Sequence, residues 1–325
     1  MNHVAVIGGG IIGASWAVVF ARRGLEVTIV ERDAACLAGL PARLAGMIER
    51  SASLLRAGEQ PGDVAARIGA TDALAAAVGR AGDVQAAAAV GRADYVQEAV
   101  SENLALKRTL FAELDALAPA HALLASSTST YGASQFTEAL AGRARCLVAH
   151  PMTPPHLSPV VEMAASAWTD PQALAGAETF MRSLGQHPVR IRKEIPGFVL
   201  NRLQGALLME MFRVIADDVI SPADADALIS QGLGLRWATL GPLEGVDLNA
   251  PGGIADYLQR YGHIFNDMAA GQGLPAPVDA ELISALDGAM RAALPLERLE
   301  AKRGWRDRAI AGVRVALHDY TGEKP

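Results

Sequence analysis

Six residues, Gly8-Gly9-Gly10-Ile11-Ile12-Gly13, constrain the fold of this chain more than any other segment. They join an apolar run, Val4-Ala5-Val6-Ile7, which reads as a buried parallel strand, to Ile12–Arg23, which reads as a helix. Gly8 permits a tight turn, Gly10 lets the backbone approach a ligand, and Gly13 lets helix and strand pack closely. The N–H groups of Ile11, Ile12 and Gly13 are then left at a helix N-terminus, where the macrodipole favours an anion. This is the sequence form of a Rossmann-type site for a dinucleotide pyrophosphate. A glycine pattern alone is weak, but a second strand, Glu26 to Val30, ends in Glu31, 18 residues beyond Gly13. A carboxylate there can accept both ribose hydroxyls of an adenosine and repels a 2′-phosphate, which points to NAD. Arg32 beside it keeps NADP open. The competing reading is a glycine-rich turn next to an ordinary surface acid.

A chain of 325 residues has room for two domains and a substantial core. With 51% hydrophobic and 20% charged residues it reads as globular. A net charge of −6 suggests no nucleic-acid partner. Cys36 and Cys146 lack metal-ligand spacing and read as small buried hydrophobes, so neither a disulfide nor a metal is expected. Val4 to Ala21 carries no charge over 18 positions. Its interior glycines, its strand-turn-helix pattern and the missing basic flank argue against a membrane span or signal segment. The expectation is a soluble, cytoplasmic protein with no membrane partner.

Apolar runs and helical periodicities alternate over roughly the first 190 residues, as in a doubly wound parallel sheet with helices on both faces. Further strands read at Asp94–Ala99, Leu123–Ser127, Cys146–His150, Val160–Met163 and Val189–Arg192, and 37–92 reads as a helical excursion after the second strand. At Glu194-Ile195-Pro196-Gly197 the texture changes. One long amphipathic helix is expected from Phe198 to Val219, with Ser221-Pro222 and Asp224 capping the next. The predicted α/β architecture is therefore a dinucleotide-binding domain over 1–193 and an all-α domain over 194–325. Its apolar helix faces would most simply be buried in a homodimer.

Ligands in such sheets sit at the carboxyl ends of strands. Two residues at such positions stand out: His150 closes the run Cys146-Leu147-Val148-Ala149, and Glu162 lies 12 residues later in Val160-Val161-Glu162-Met163. An unpaired buried carboxylate is costly, and a nearby histidine is an economical partner. Such a pair would hold the imidazole in one orientation and stabilise its protonated form. The same pattern also serves a core histidine with a structural salt bridge. Ala125-Ser126-Ser127-Thr128-Ser129-Thr130 places hydroxyls at the same sheet edge, either for a substrate or as helix caps. Asn201 is either a helix-surface amide or a donor to a substrate oxygen.

These segments, taken together and in order, resemble the L-3-hydroxyacyl-CoA dehydrogenase superfamily over nearly the whole chain. The matching stretches are Gly8–Gly13, Glu98-Ala99-Val100-Ser101-Glu102-Asn103-Leu104 with Lys107, Ser126–Ser129, His150–Glu162 and Pro196–Leu203. The resemblance implies an NAD-dependent dehydrogenase with His150 as general base and Glu162 as its orienting partner. It implies Ser129 and Asn201 as polar contacts to the substrate oxygen, and Glu98 and Lys107 near the nicotinamide end of the cofactor. Two departures stand out. Ser127 replaces a usual asparagine, and the chain reads His150-Pro151-Met152-Thr153-Pro154 where the superfamily has His-x-x-Asn-Pro.

Gly232-Leu233-Gly234-Leu235-Arg236-Trp237, Leu248-Asn249-Ala250 and Arg303-Gly304-Trp305-Arg306-Asp307 more closely resemble the branch containing lambda-crystallin and L-gulonate 3-dehydrogenase. There Arg236, expected on a loop facing the cleft, would offer a planar fork to a small hydroxy acid's carboxylate. A surface salt bridge is the alternative for that residue. Rival readings are a 3-hydroxyacyl-CoA dehydrogenase using Arg43, Arg50, Arg56 and Arg67 on the CoA phosphates, an L-carnitine dehydrogenase, and a non-catalytic crystallin-like protein.

Overall fold

The computed structural model describes residues 1–72, 90–271, 286–288, 291–292 and 295–321. Contacts divide the chain into two compact units, Met1–Arg202 with the chain from Gly304 onward, and Leu203–Arg303.

The first unit is built on an eight-stranded sheet of order β3-β2-β1-β4-β5-β6-β7-β8. Its strands are β1 His3–Ile7, β2 Glu26–Val30, β3 Ile68–Thr71, β4 Tyr95–Glu98, β5 Leu123–Ser126, β6 Cys146–Pro151, β7 Val160–Ala165 and β8 His187–Ile191. The helices are α1 Ile11–Arg22, α2 Ala34–Arg50, α3 Pro61–Ala65, α4 Leu104–Leu117, α5 Ser134–Thr137 and α6 Pro171–Ser183. Side chains alternate strictly between two cores, one per sheet face. Val4, Val6, Leu147, Ala149, Val161 and Met163 join the Trp16–Phe20 face of α1, while Ala5, Ile7, Cys146, Val148 and Ala164 join Leu110, Phe111 and Leu114 of α4. Burial on both faces explains why these strands read as continuous apolar runs.

Three expectations need correction. The sheet is not wholly parallel, because β7 runs antiparallel to β6 and β8 follows β7. Only eight residues separate β6 from β7, too few for the helical crossover that a parallel pair requires. The segment after β2 is not simply helical. It contributes α2 and α3, then the edge strand β3 paired with β2, a strand too short and too glycine-containing to stand out. Residues 73–89 of that segment lie outside the described residues. Cys36 is half-buried rather than buried, whereas Cys146 is fully enclosed, and both thiols are free.

The long helix α7 spans Leu200–Ala216, starting two residues later than its apolar periodicity suggests. Gly197 and Phe198 adopt positive φ values, 74° and 48°, and this turn delays the helix. In the second unit follow α8 Pro222–Ala227, α9 Gly234–Trp237, α10 Pro242–Asp247 and α11 Gly253–Gly271. Ser221 caps α8, accepting from the Asp224 N–H at 3.1 Å with Pro222 at the first position, as its sequence indicates. The last helix, α12, runs Leu299–Thr321. From Gly304 it belongs to the first unit. Asp307 bonds Arg50 at 3.0 Å, Ala311 is buried, and Arg314 donates to the Leu157 carbonyl at 2.7 Å.

Candidate active site

The glycine turn has the geometry expected of a cofactor cradle. Gly8 sits at φ 103°, and a Cβ there would lie 2.7 Å from the Ala99 carbonyl oxygen. A Cβ at Gly13 would collide with the Gly8 carbonyl, whereas one at Gly10 would meet nothing within 4 Å. Two glycines therefore serve the fold, and Gly10 opens onto free space at the start of α1. A cavity of about 380 Å³ lies there, lined by Gly8, Gly10, Glu31, Asp33, Ala99 and Ser101 with apolar walls from Val30, Val100, Leu106 and Leu110. Ile11 and Ile12 form the first turn beside it. Glu31 accepts from the Gly9 N–H at 2.7 Å and the Asp33 N–H at 2.8 Å. Partial burial would raise its carboxyl, but these backbone donors outweigh that and hold it below the usual range. Each oxygen keeps a second lone pair for a ribose hydroxyl. Arg32, meanwhile, is engaged with Glu113 at 3.2 Å. The apolar slot, the open glycine and the ionised acid fit NAD.

His150 and Glu162 stand directly opposite each other across the antiparallel β6–β7 pair, with Nδ1 and Oε2 2.8 Å apart. Glu162 is thus not at a strand's carboxyl end, as its sequence position suggests. Because β7 reverses direction, its first half lies beside the end of β6. Two-residue alternation puts both side chains on the α4 face of the sheet, with Phe198. They are only 4% and 3% exposed. An uncompensated carboxylate at that depth costs several kcal/mol. Glu162 avoids that cost through its other oxygen, which accepts the Val199 and Leu200 N–H groups at 2.8 and 2.9 Å. The α7 N-terminus therefore points its unpaired donors and positive dipole end at this carboxylate. The Phe198 ring lies 5.5 Å from the imidazole, centre to centre, and packs against it. With the carboxylate accepting from Nδ1, the neutral imidazole keeps its lone pair on Nε2.

Ser129 and Asn201 also come together, since the Asn201 amide donates to the Ser129 carbonyl at 3.4 Å. Asn201 follows Leu200, so one turn of α7 holds both Glu162 and the loop after β5. Ser127, in place of the usual asparagine, instead accepts from Trp16 Nε1 and Gln97 Nε2 at 3.1 and 2.7 Å.

Glu98 and Lys107 are almost wholly enclosed, 0% and 1% exposed, and Lys107 Nζ bonds both Glu98 oxygens at 2.9 and 3.0 Å. The pair supports the loop from beneath: Glu98 also accepts from Ser126 Oγ and the Val100 N–H. Glu102, which our sequence reading did not single out, is the link to the site. It pairs with Lys107 at 3.3 Å and accepts from Thr128 Oγ1 and from the Ser129 and Thr130 N–H groups. Its position in the Glu98–Lys107 stretch was visible, but its partners on the loop after β5 lie 26 to 28 residues away. Phe198 was missed because it looks like the first residue of a helix. Arg236 stands on α9 rather than on a loop, exposed, and among the described residues it forms no ion pair.

Comparison with known proteins identifies the family. The chain matches the 3-hydroxyacyl-CoA dehydrogenase NAD-binding domain over residues 3–195 and the C-terminal domain of the same family over 197–284. It is 38% identical to a lambda-crystallin homolog from Bos taurus, covering 97% of this chain and 95% of that one. It is 36% identical to an L-carnitine dehydrogenase from Streptomyces griseus, covering 81% of this chain and 74% of that one. Among solved structures, an NAD⁺-dependent 5-formyl-3-hydroxy-2-methylpyridine 4-carboxylic acid 5-dehydrogenase superposes with a TM-score of 0.77. It is 26% identical and the match covers 98% of this chain and 99% of that one. A dinucleotide cradle, a buried His–Glu pair on one sheet face and family matches spanning both domains lead to one conclusion: this chain belongs to the 3-hydroxyacyl-CoA dehydrogenase family of NAD-dependent enzymes acting on CH–OH groups.

Proposed function

We propose that the chain oxidises the 3-hydroxyl of a small hydroxy acid, with L-gulonate the leading candidate, using His150 and Glu162. The observation that carries this reading is the 2.8 Å bond between His150 Nδ1 and Glu162. It leaves Nε2 to take the hydroxyl proton. Glu162, fixed by two α7 N–H groups, stabilises the imidazolium that forms. Ser129 and Asn201 orient the reacting oxygen. Bound NAD⁺ supplies the hydride acceptor.

A small acid is favoured over an acyl-CoA thioester by the arginines that would have to meet the CoA phosphates. Arg43 donates to the Gly9 carbonyl, Arg50 pairs with Asp307, and Arg56 and Arg67 share Glu59. All four already have partners within the chain, Arg56 through an exposed pair and the other three half-buried. The pyridine carboxylic acid dehydrogenase, matched over 98% of this chain, likewise carries a small carboxylic acid in its name. Following NADH formation with L-gulonate, L-carnitine and 3-hydroxybutyryl-CoA in parallel tests the reading. L-Gulonate should give the highest kcat/KM, and a preference for the thioester would overturn it.

We also propose a cytoplasmic homodimer formed through the helical unit. Among the described residues no helix is long and apolar enough to cross a membrane. Leu203, Leu235, Leu243 and Leu248 are each at least two-thirds exposed, an apolar surface that a second copy would cover. Light scattering should return twice the chain mass.

A further inference from the structure

At the far end of α1 from the glycine turn, about 18 Å along a twelve-residue helix, three guanidiniums converge on a second cavity. It has a volume of about 310 Å³ and is lined by Arg22, Arg23, Ser53, Leu55 and Arg314. Arg22 is 3% exposed. Each arginine spends one nitrogen on a main-chain carbonyl: Arg22 on His156, Arg23 on Leu184 and Arg314 on Leu157, at 3.1, 3.0 and 2.7 Å. Among the described residues none of the three pairs with a carboxylate. Glu59, whose field reaches Arg22, is already claimed by Arg56 and Arg67.

Holding a buried guanidinium, Arg22, beside half-buried Arg314 and exposed Arg23 without a counterion is unfavourable, and the titration of Arg22 reflects it. Burial first, then the charges of Arg314 and Arg23, bring Arg22 down to about 10. The carbonyl end of α1 accounts for cations at Arg22 and Arg23 through the helix dipole. It does not account for Arg314, which arrives from α12 to complete the trio. A guanidinium offers five donors in a planar fork suited to oxyanions, and one is used on each residue here.

We propose that this cavity is a binding site for a small oxyanion, a phosphate or carboxylate group, held by Arg22, Arg23 and Arg314. The bound anion would offset part of the three positive charges and tie α12 to α1 within the dinucleotide-binding unit. The site is separate from the proposed chemistry and does not depend on it.

The test is thermal melting of the full chain saturated with NADH, so that the dinucleotide cradle is filled. Sodium phosphate and sodium acetate are each titrated against sodium chloride at equal ionic strength and pH. Phosphate should raise the melting temperature saturably in the millimolar range, and a matching gain with acetate would extend the site to carboxylates. Arg314→Gln and Arg23→Gln should each lose at least half of that gain, while NADH affinity and turnover stay unchanged. Arg23 is exposed, so its variant remains informative even where Arg314→Gln folds poorly. The same phosphate gain in wild type and variants, or no gain from either anion in wild type, overturns the proposal.

Discussion

His150 and His156 lie six residues apart and are both buried, at 4% and 1% exposure, yet their surroundings prepare them for opposite tasks. His150 faces a carboxylate that is itself held by two backbone donors. His156 faces the Ser15 hydroxyl at 2.6 Å, and that oxygen accepts the His156 N–H at 3.0 Å. Burial pushes His156 down to about 4; Asp307 opposes this, and the charges of Arg22, Arg50 and Arg306 reinforce it. A buried imidazole beside a hydroxyl and arginines stays neutral and inert. A buried imidazole beside an anchored carboxylate can accept a proton and keep it through a transition state. What separates the two rings is the partner, not the depth.

The strongest way to break the comparison is His150→Gln. Turnover should fall at least ~10²-fold with NADH binding largely intact, because the variant loses the proton acceptor and not the cradle. In wild type the oxidation rate should climb with pH, since only neutral imidazole accepts the hydroxyl proton. A flat profile would remove His150 from the chemistry. Glu162→Gln should cost somewhat less, about 10- to 10²-fold in kcat with a smaller change in KM. The amide carbonyl can still accept from Val199 and Leu200, which turns the NH₂ toward Nδ1. That forces the ring proton onto Nε2 and blocks the base. Unchanged kcat would make Glu162 a structural partner only.

His156→Gln sharpens the other half and should have the smallest effect on turnover, namely none. Its signature is in stability. The folded-state value of about 4 lies below the ordinary 6.5, so the unfolded chain binds the extra proton between them. Stability is therefore fully present above about pH 6.5 and declines as pH falls toward about 4, by up to about 3 kcal/mol. The variant should lose less melting temperature than wild type between pH 7 and 5. Equal losses would show that this ring stays as solvated as in the unfolded chain.

Much of the site was legible because its signals are local. The glycine turn, Glu31 and the apolar runs around His150 and Glu162 declare themselves within a few residues, since strand burial and helix termini are short-range matters. The expectation that Glu162 sits at a strand end failed for the same reason: nothing local distinguishes a parallel from an antiparallel β7. The packing of Glu98 and Lys107 was not visible either: that they bond each other, and that Lys107 also reaches Glu102, depends on the fold and not on their spacing of nine residues. The four arginines between 43 and 67 offered a basic surface, and only the folded chain shows Arg43 on the Gly9 carbonyl, Arg50 on Asp307, and Arg56 and Arg67 on Glu59.

By itself, the order of residues determined an α/β chain with a dinucleotide turn, a helical second part, and a histidine and an acid suited to one another. Backbone conformation and apolar periodicity are written in neighbouring residues, so they survive without any knowledge of contacts. The tertiary structure alone decided that β7 reverses to set Glu162 opposite His150, that α7 delivers its N–H groups to that acid, and that α12 returns to complete an arginine cluster on α1. Each of these joins atoms that are distant along the chain, and electrostatic pairing depends on separation in space.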